Sequence, residues 1–131
     1  MRGPANGGRA GRGARGRRAR REGRRAEWLC AFWLMARGYR ILGFRLRTGQ
    51  AEIDILAQRA GTVVVVEVKR RATLEGALAA VSWTQRERLR RAALSLAARR
   101  PDLSGAPVRL DLIALAPGRW PRHITDAWRD G

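Results

Sequence analysis

Three charged side chains, Asp54, Glu67 and Lys69, are the residues of this sequence best suited to chemistry. The first two are carboxylates thirteen positions apart, and the lysine follows two positions after the second. All three alternate with Ile or Val, the period-two pattern that places charged and apolar side chains on opposite faces of a β-strand. Carboxylates held close together repel unless a proton or a cation lies between them, and their oxygens suit Mg²⁺. The spacing therefore predicts a divalent-metal site with a lysine beside it.

A tight turn between the two strands determines which of these residues face each other. Ala60-Gly61 suits the two-residue loop of a β-hairpin because Gly supplies the positive φ that such a turn needs. In that register Asp54 opposes Glu67 and Glu52 opposes Lys69, with Cβ atoms about 4.5–5.5 Å apart. The alternative interpretation is that these charges form only the solvent-exposed face of the hairpin, which is the commoner role of alternating charges.

A helix is predicted before the hairpin, over residues 23–37. Apolar residues recur there at the spacing of one buried stripe, formed by Leu29, Phe32, Trp33 and Ala36. Glu27 lies near the start of this helix, where the helix dipole favours a carboxylate whatever else the residue does. Gly38 is suited to end the helix.

The remaining pattern predicts two more strands and a second helix. Alternation over 39–47 adds a strand to the hairpin and gives a three-stranded antiparallel meander, in which Arg45 and Arg47 share a face. A helix over 77–99 carries a run of arginines, and 108–116 forms a further strand that is apolar enough to be buried. The predicted fold class is therefore α/β, with a mixed central sheet flanked by helices.

Positive charge is the main feature of the composition. The 131-residue chain has a formal net charge of +17, and its first 25 residues contain ten arginines and one glutamate. Residues 1–21 lack apolar periodicity, which predicts a disordered basic arm before a domain over 22–131. Such charge favours a polyanionic partner, with nucleic acid first and an anionic membrane surface second.

Several classes of protein are disfavoured. One cysteine, Cys30, and one histidine, His123, leave no intrachain disulfide and no cysteine-type zinc site, in agreement with a cytoplasmic location. The apolar run 28–36 lacks the cleavage site of a secretory signal and is too short to span a membrane, which takes about 20 residues, so no integral membrane protein is expected. Asp111, on the last strand, is expected to pair with a nearby arginine rather than to act in catalysis.

The order of elements and motifs resembles the restriction-endonuclease-like core of the PD-(D/E)XK nuclease superfamily. More closely, residues from about 21 to 128 resemble the YraN-like family of uncharacterised bacterial proteins, which are similar in core layout to Holliday-junction resolvases. The matching pieces are Gly23-x-x-x-Glu27, Gly38-Tyr39, Glu52-Ile-Asp54, Val66-Glu-Val-Lys69, Arg109-Leu-Asp111 and His123-Ile.

The resemblance implies a role for each charged residue. Asp54 and Glu67 correspond to ligands of Mg²⁺ or Mn²⁺. Lys69 corresponds to the residue that orients or activates the attacking water, and Glu27 to an extra carboxylate from the first helix. Glu52 and Gln85 are assigned as supporting residues. Apart from the resemblance, the charge pattern predicts phosphate contacts by five arginines, with a merely solvated surface as the alternative: Arg45, Arg47, Arg70, Arg86 and Arg88. The chain departs from the family pattern at three positions: Ala51 replaces Gly, Arg45 replaces Asn, and Gln85 replaces Lys.

The favoured function is a Mg²⁺-dependent, endonuclease-like phosphodiesterase that acts on DNA, including branched or otherwise structured DNA. A substrate with two-fold symmetry would suit a homodimer with paired sites. The alternative is a non-catalytic nucleic-acid-binding protein that keeps the nuclease fold as a scaffold. A third and weaker hypothesis is attachment of the basic arm to anionic membranes.

Overall fold

The computed structural model describes residues 24–129, so the predicted arm of residues 1–21 lies outside the described part. The elements in chain order are α1 (24–36), β1 (Arg40–Arg47), β2 (Glu52–Arg59), β3 (Thr62–Arg70), α2 (Leu74–Ala79), α3 (Trp83–Ala98), β4 (Val108–Leu115) and β5 (Arg122–Ile124). None of the helices in residues 24–129 has both the length and the apolar character needed to cross a bilayer.

Five strands form one mixed sheet in the order β1-β2-β3-β4-β5. β3 and β4 are parallel, and the other neighbours are antiparallel. The turn between β2 and β3 has positive φ at both Ala60 (50°) and Gly61 (78°), as a tight two-residue hairpin requires. The predicted fold class is confirmed. The sequence analysis missed β5, because three residues are too few for a periodic signal.

The sheet is covered by α1 on one face and by α3 on the other. Val64 and Val66 of β3 pack in the cluster that contains Cys30 and Leu34 of α1. Val63 and Val65 pack in the cluster that contains Leu89, Ala92 and Ala93 of α3. Because β3 is buried on both faces, it is almost wholly valine, as a central strand of a mixed sheet requires.

The buried face of α1 differs from the predicted one. Leu29 and Phe32 are 52% and 61% exposed, whereas Ala26, Cys30 and Leu34 are buried. The helix is apolar on nearly all sides, so periodicity could not select the face. The small side chains of Ala26 and Cys30 let the helix lie close to the sheet, and this packing decides which face is buried.

The segment predicted as one helix over 77–99 forms two helices. Ser82 separates them, because its hydroxyl accepts a hydrogen bond from the backbone N–H of Gln85 and so caps the start of α3. Thr73 caps α2 in the same way through the N–H of Gly76. α2 therefore begins at Leu74, three residues before the predicted start of the helix at residue 77. Val81, between the two helices, is buried in the cluster beneath α3.

Candidate active site

The candidate site lies where β2 separates from β3. The predicted register is confirmed from Arg59–Thr62 to Ile55–Val66, where the ladder ends, so it does not include the predicted pairs Asp54–Glu67 and Glu52–Lys69. Instead, Oδ2 of Asp54 accepts a hydrogen bond of 3.0 Å from the backbone N–H of Val68. A side-chain carboxylate thus takes the place of a ladder carbonyl, and the two strands part at this point.

A local change in the pleat accompanies this separation. Phe44 and Ile55 are opposed on β1 and β2 and pack beneath α1, whereas the next opposed pair, Leu46 and Ile53, packs beneath α3. The residue between Phe44 and Leu46 is Arg45, whose φ of 47° lies in the left-handed region. Asn, the residue expected there from the family resemblance, adopts this conformation more readily than Arg. The two strands therefore change face at Arg45 and Asp54.

Glu67 is a buried carboxylate whose hydrogen bonds are incomplete. The residue is 3% exposed, and its Oε1 is buried without a hydrogen-bond partner in the described part of the chain. Burial and the nearby negative charge of Asp54 raise the pKa of Glu67 to about 8, although Lys69 opposes this shift. Without a cation, Glu67 therefore holds its proton more tightly than a solvent-exposed glutamic acid does.

Asp54 shares this environment. Burial is the largest cause that raises its pKa, and the negative charges of Glu27 and Glu52 act in the same direction. The N–H of Val68 and the ammonium group of Lys69 lower it only in part. Burial and the neighbouring carboxylates therefore outweigh the groups of residues 24–129 that stabilise the ionised form of Asp54, and a bound cation would favour that form.

α1 brings Glu27 to the edge of this site. Both carboxylate oxygens of Glu27 accept hydrogen bonds from Nε of Arg45, at 3.0 and 2.8 Å. Arg45, which was predicted to contact phosphates, thus binds Glu27 at the point where β1 changes face. Cys30 follows one turn along α1, and burial together with Glu27 and Asp54 raises the pKa of its thiol to about 12. This thiol stays protonated and forms part of the wall of the site.

The other predicted residues lie around the edges of the sheet. Glu52 forms an exposed ion pair with Arg47, with 3.6 Å between Oε2 and Nε. Arg70 is exposed at the end of β3. Within residues 24–129, no hydrogen bond or ion pair joins Gln85 or Arg88, both on α3, to Asp54 or Glu67.

Arg86 is also on α3 and belongs to a separate surface. Its guanidinium carbon lies 5.7 Å from the ring centroid of Trp128. Its Nε donates a hydrogen bond of 3.4 Å to the carbonyl of Ser82. Arg86 therefore has contacts that hold it on α3 whether or not it also binds phosphate.

A second buried acid, Asp111 on β4, is fully hydrogen-bonded. Arg109 donates to both of its carboxylate oxygens at 2.8 Å, as the prediction of a structural arginine pair requires. Oδ2 also lies 2.8 Å from Nε2 of His123, and Oδ1 accepts from the N–H of Asp126 at 2.9 Å. Burial alone would raise the pKa of Asp111, but these bonds outweigh it and hold the pKa below its ordinary value.

His123 thus has a structural partner that sequence reasoning did not find. Its side chain is 2% exposed. Arg109 also donates to the hydroxyl of Tyr39, whose ring meets that of His123 edge-on at 5.5 Å. The available signal was the Arg-x-Asp spacing on a strand, which puts Arg109 and Asp111 on the same face. No local signal connected either residue to His123 twelve positions later.

The carboxylate oxygens of Asp54 and Glu67 are the candidate ligands of a metal ion. Within residues 24–129, no group of three or more His, Cys, Asp or Glu side chains is arranged to hold a metal ion. Mg²⁺ needs fewer, because it commonly binds through one or two carboxylates and completes its shell with water and substrate phosphates. Asp54 and Glu67 supply those carboxylates, and Oε1 of Glu67 has no hydrogen-bond partner among residues 24–129. The residues present fit a hydrated Mg²⁺ or Mn²⁺ ion.

Comparison with known proteins places the chain among bacterial relatives. A family model described as the uncharacterised protein family UPF0102 matches residues 26–115. A UPF0102 protein of Caulobacter vibrioides is 66% identical over 104 residues, covering 79% of this chain and 83% of the relative. The UPF0102 protein of Paramagnetospirillum magneticum is 47% identical over 108 residues, covering 79% and 84%. The resemblance to the YraN-like family is confirmed. The chain belongs to the uncharacterised protein family UPF0102.

Proposed function

We propose that this protein is a Mg²⁺- or Mn²⁺-dependent phosphodiesterase that cleaves nucleic acid, with DNA as its expected substrate. The observation that carries the proposal is the buried pair Asp54 and Glu67, whose pKa values are both raised and in which Glu67 Oε1 has no partner in the described part of the chain. Lys69 is the cation nearest in sequence, and its charge acts on both carboxylates. This combination suits charge stabilisation at a phosphate better than it suits folding.

Each residue then has a definite task. Asp54 and Glu67 would hold the cation, which when bound would polarise the scissile phosphate and lower the pKa of a bound water. Lys69 orients the attacking water by hydrogen bonding and stabilises the negative charge that develops on the phosphate. Glu27, fixed by Arg45, keeps the local potential negative and so favours retention of a divalent cation.

Basic surface supplies the affinity for the nucleic-acid backbone. The formal net charge of +17 favours association with a polyanion, and exposed arginines such as Arg70 and Arg88 supply phosphate contacts. A four-way junction has two-fold symmetry, so its resolution would require two copies of this chain with paired sites.

The test is cleavage by the purified full-length protein in Mg²⁺ and in Mn²⁺. Duplex, single-stranded, flap and four-way-junction DNA are compared, with RNA of matched sequence. We expect cleavage that falls at least about 100-fold in Asp54→Asn, Glu67→Gln and Lys69→Met. Asp102→Asn is the matched control, since Asp102 is an exposed acid paired with Arg100; it should cleave at the wild-type rate.

Two results would refute the enzyme. One is the absence of cleavage on every substrate in both metals. The other is cleavage that persists in Asp54→Asn and Lys69→Met, since a contaminating nuclease would then be responsible. Salt-dependent binding without cleavage and without metal uptake would instead support the non-catalytic nucleic-acid-binding alternative.

A further inference from the structure

Two adjoining clefts, of about 370 Å³ and 330 Å³, lie at one end of the sheet. They share Ala116 and Arg119, which follow β4, and we call the combined feature the arginine groove. It is lined by five arginines: Arg25, Arg70, Arg71, Arg119 and Arg122. It is separate from the surface on α3 that contains Arg86.

The arginine groove begins next to the candidate active site. β3 and β4 are parallel, so their carboxyl ends lie at the same edge of the sheet. Lys69 pairs with Ala114, and Ala114 pairs with Arg122 on β5, so one row of the sheet joins the site to the groove. Arg70 follows Lys69 directly. A strand of nucleic acid that leaves the site therefore meets the groove within one residue of the lysine.

The charge of the groove is left unbalanced by the protein. Glu75 is the single acid that lines it in the part of the chain that the structure describes. Among residues 24–129, Arg70, Arg119 and Arg122 form no ion pair with a carboxylate. Other arginines of the domain are paired, as Arg45 is with Glu27. Unpaired guanidinium groups that converge on a cleft form a binding surface for successive phosphates.

An exposed indole lies beside these arginines. Trp120 lines the groove and is 81% exposed. Its ring lies near that of Trp33 of α1, with ring centroids 6.3 Å apart and planes at 30°. Arg37 in turn lies over the ring of Trp33 at 4.2 Å. An exposed aromatic ring next to arginines that can bind phosphates suits stacking of an unpaired base, because every base has a π-face and paired bases in a duplex are already stacked.

We infer that the arginine groove binds a single-stranded segment of nucleic acid that continues from the candidate active site. Its phosphates contact Arg70, Arg119 and Arg122, and one unpaired base stacks on Trp120. The continuity with the active site rests on the proposed function. The substrate class that follows is nucleic acid with an unpaired stretch beside the cleaved bond, such as a flap, an open end or a branch.

Binding measured without cleavage tests this inference. Full-length protein in EDTA is titrated into a labelled oligothymidylate and into a duplex of equal length, with fluorescence anisotropy as the readout. Trp120→Ala should weaken single-strand binding about tenfold and duplex binding less than about twofold. Arg119→Gln should reduce the slope of log affinity against log salt for the single strand by about 0.7, the value of one phosphate contact.

Matched controls come from α3. Trp83→Ala removes another exposed indole, at 64% exposure, and Arg91→Gln removes another exposed arginine. Both should leave single-strand affinity within about twofold of wild type. Urea midpoints equal to that of wild type establish that all four variants fold.

Three results of the nucleic-acid titrations would overturn the inference that the groove binds a single strand. They are equal weakening of single-strand and duplex binding by Trp120→Ala, no weakening of either, and weakening by Trp83→Ala as large as by Trp120→Ala. A loss of binding to phosphatidylglycerol vesicles in Trp120→Ala with unchanged single-strand affinity would assign the groove to lipid and would also overturn it.

Failure of the groove and failure of the enzyme give different results. If wild type cleaves no substrate but Trp120→Ala loses single-strand affinity, single-strand binding by the groove is supported and the nuclease activity is refuted. If wild type cleaves and Trp120→Ala binds single strands normally, the nuclease activity is supported and single-strand binding by the groove is refuted.

Discussion

Two buried acids on neighbouring strands have opposite environments. Asp111 on β4 accepts hydrogen bonds from Arg109 and from the N–H of Asp126 and contacts His123, and its pKa is held low. Glu67 on β3 lies against another carboxylate, has a buried oxygen without a partner in the described part of the chain, and has a pKa raised to about 8. Both are almost fully buried, at 0% and 3% exposure. Burial therefore does not distinguish them; the partners do.

The contrast shows how to tell a structural acid from an acid with another purpose. A buried charge that the protein satisfies completely stabilises one packing of the chain. A buried carboxylate that the protein leaves short of partners destabilises the metal-free fold, and such groups occur where a ligand completes the site. Asp111 is the first kind, and the environment of Asp54 and Glu67 is the one that the proposed metal site requires.

The largest expected effect follows a change of Asp111, the buried acid that is fully hydrogen-bonded. Asp111→Asn removes the charge that balances Arg109 in a buried network, so the free energy of unfolding should fall by about 3 kcal/mol. Urea denaturation measures it. Asp102→Asn, in an exposed ion pair with Arg100, should change the same quantity by less than about 1 kcal/mol. Equal stability of Asp111→Asn and wild type would remove the basis of the comparison.

Glu67→Gln should raise the free energy of unfolding of the metal-free protein, whereas Asp111→Asn should lower it. The folded-state pKa of Glu67, about 8, lies above its ordinary value of 4.5, so the unfolded chain releases this proton first and the metal-free fold loses stability as pH rises from about 4.5 to about 8. The variant lacks this titration, so its free energy of unfolding relative to wild type should increase between pH 5.5 and pH 8. Urea denaturation in EDTA at pH 5.5 and pH 8 measures the difference.

The matched comparison at acid pH has the reverse dependence. The pKa of Asp111 is lowered, so its contribution to stability is present above its unfolded-state pKa and is lost as pH falls through the folded-state value. Asp111→Asn should therefore flatten the acid limb of the stability profile, and Glu67→Gln the limb between about pH 4.5 and pH 8. A Glu67→Gln profile that keeps the wild-type slope in that range would contradict the raised pKa.

Metal addition should produce a smaller stabilisation. At ten times its dissociation constant, Mg²⁺ or Mn²⁺ should stabilise wild type by about 1.4 kcal/mol, which raises the melting temperature by about 5 °C. The effect should be weaker at pH 6, because the metal then competes with the proton on Glu67. Differential scanning calorimetry measures it. Asp54→Asn should show no shift, whereas Asp111→Asn should show the full one.

The smallest expected effect concerns the backbone of Arg45, where β1 changes face opposite Asp54. Arg45 has a φ of 47°, a conformation that Asn tolerates and that costs most other residues about 1–2 kcal/mol. Arg45→Asn and Arg45→Gln both remove the ion pair with Glu27, but only the first relieves the backbone. Urea denaturation should find Arg45→Asn more stable than Arg45→Gln by about 1 kcal/mol. Equal stabilities of the two variants would show that the positive φ at residue 45 does not affect stability.

Much of the fold could be predicted because it depends on local patterns. Alternation identified the hairpin, and Ala60-Gly61 fixed its register as far as Ile55–Val66. The expectation that Asp111 pairs with an arginine also held, since Arg109 is only two residues away on the same strand. The three-residue β5 and the break at Ser82 were missed, because each depends on a few residues without periodicity.

The residues of the candidate site could be predicted from the sequence, but their hydrogen bonds could not. Strand alternation and family resemblance predicted a site formed by four residues, and charge interactions connect the same four in the fold: Glu27, Asp54, Glu67 and Lys69. The sequence did not show that Arg45 holds Glu27, that Val68 donates to Asp54, or that Glu67 Oε1 lacks a partner among the described residues.

The sequence by itself therefore determined the hairpin, the residue types at the site and the excess of positive charge, all of which follow from neighbouring residues or from a sum over the chain. Only the tertiary structure decided which face of α1 is buried, where β2 leaves β3, and which arginines converge beside Trp120. These features depend on contacts between segments distant along the chain, and they were settled by packing and hydrogen bonding rather than by any local preference.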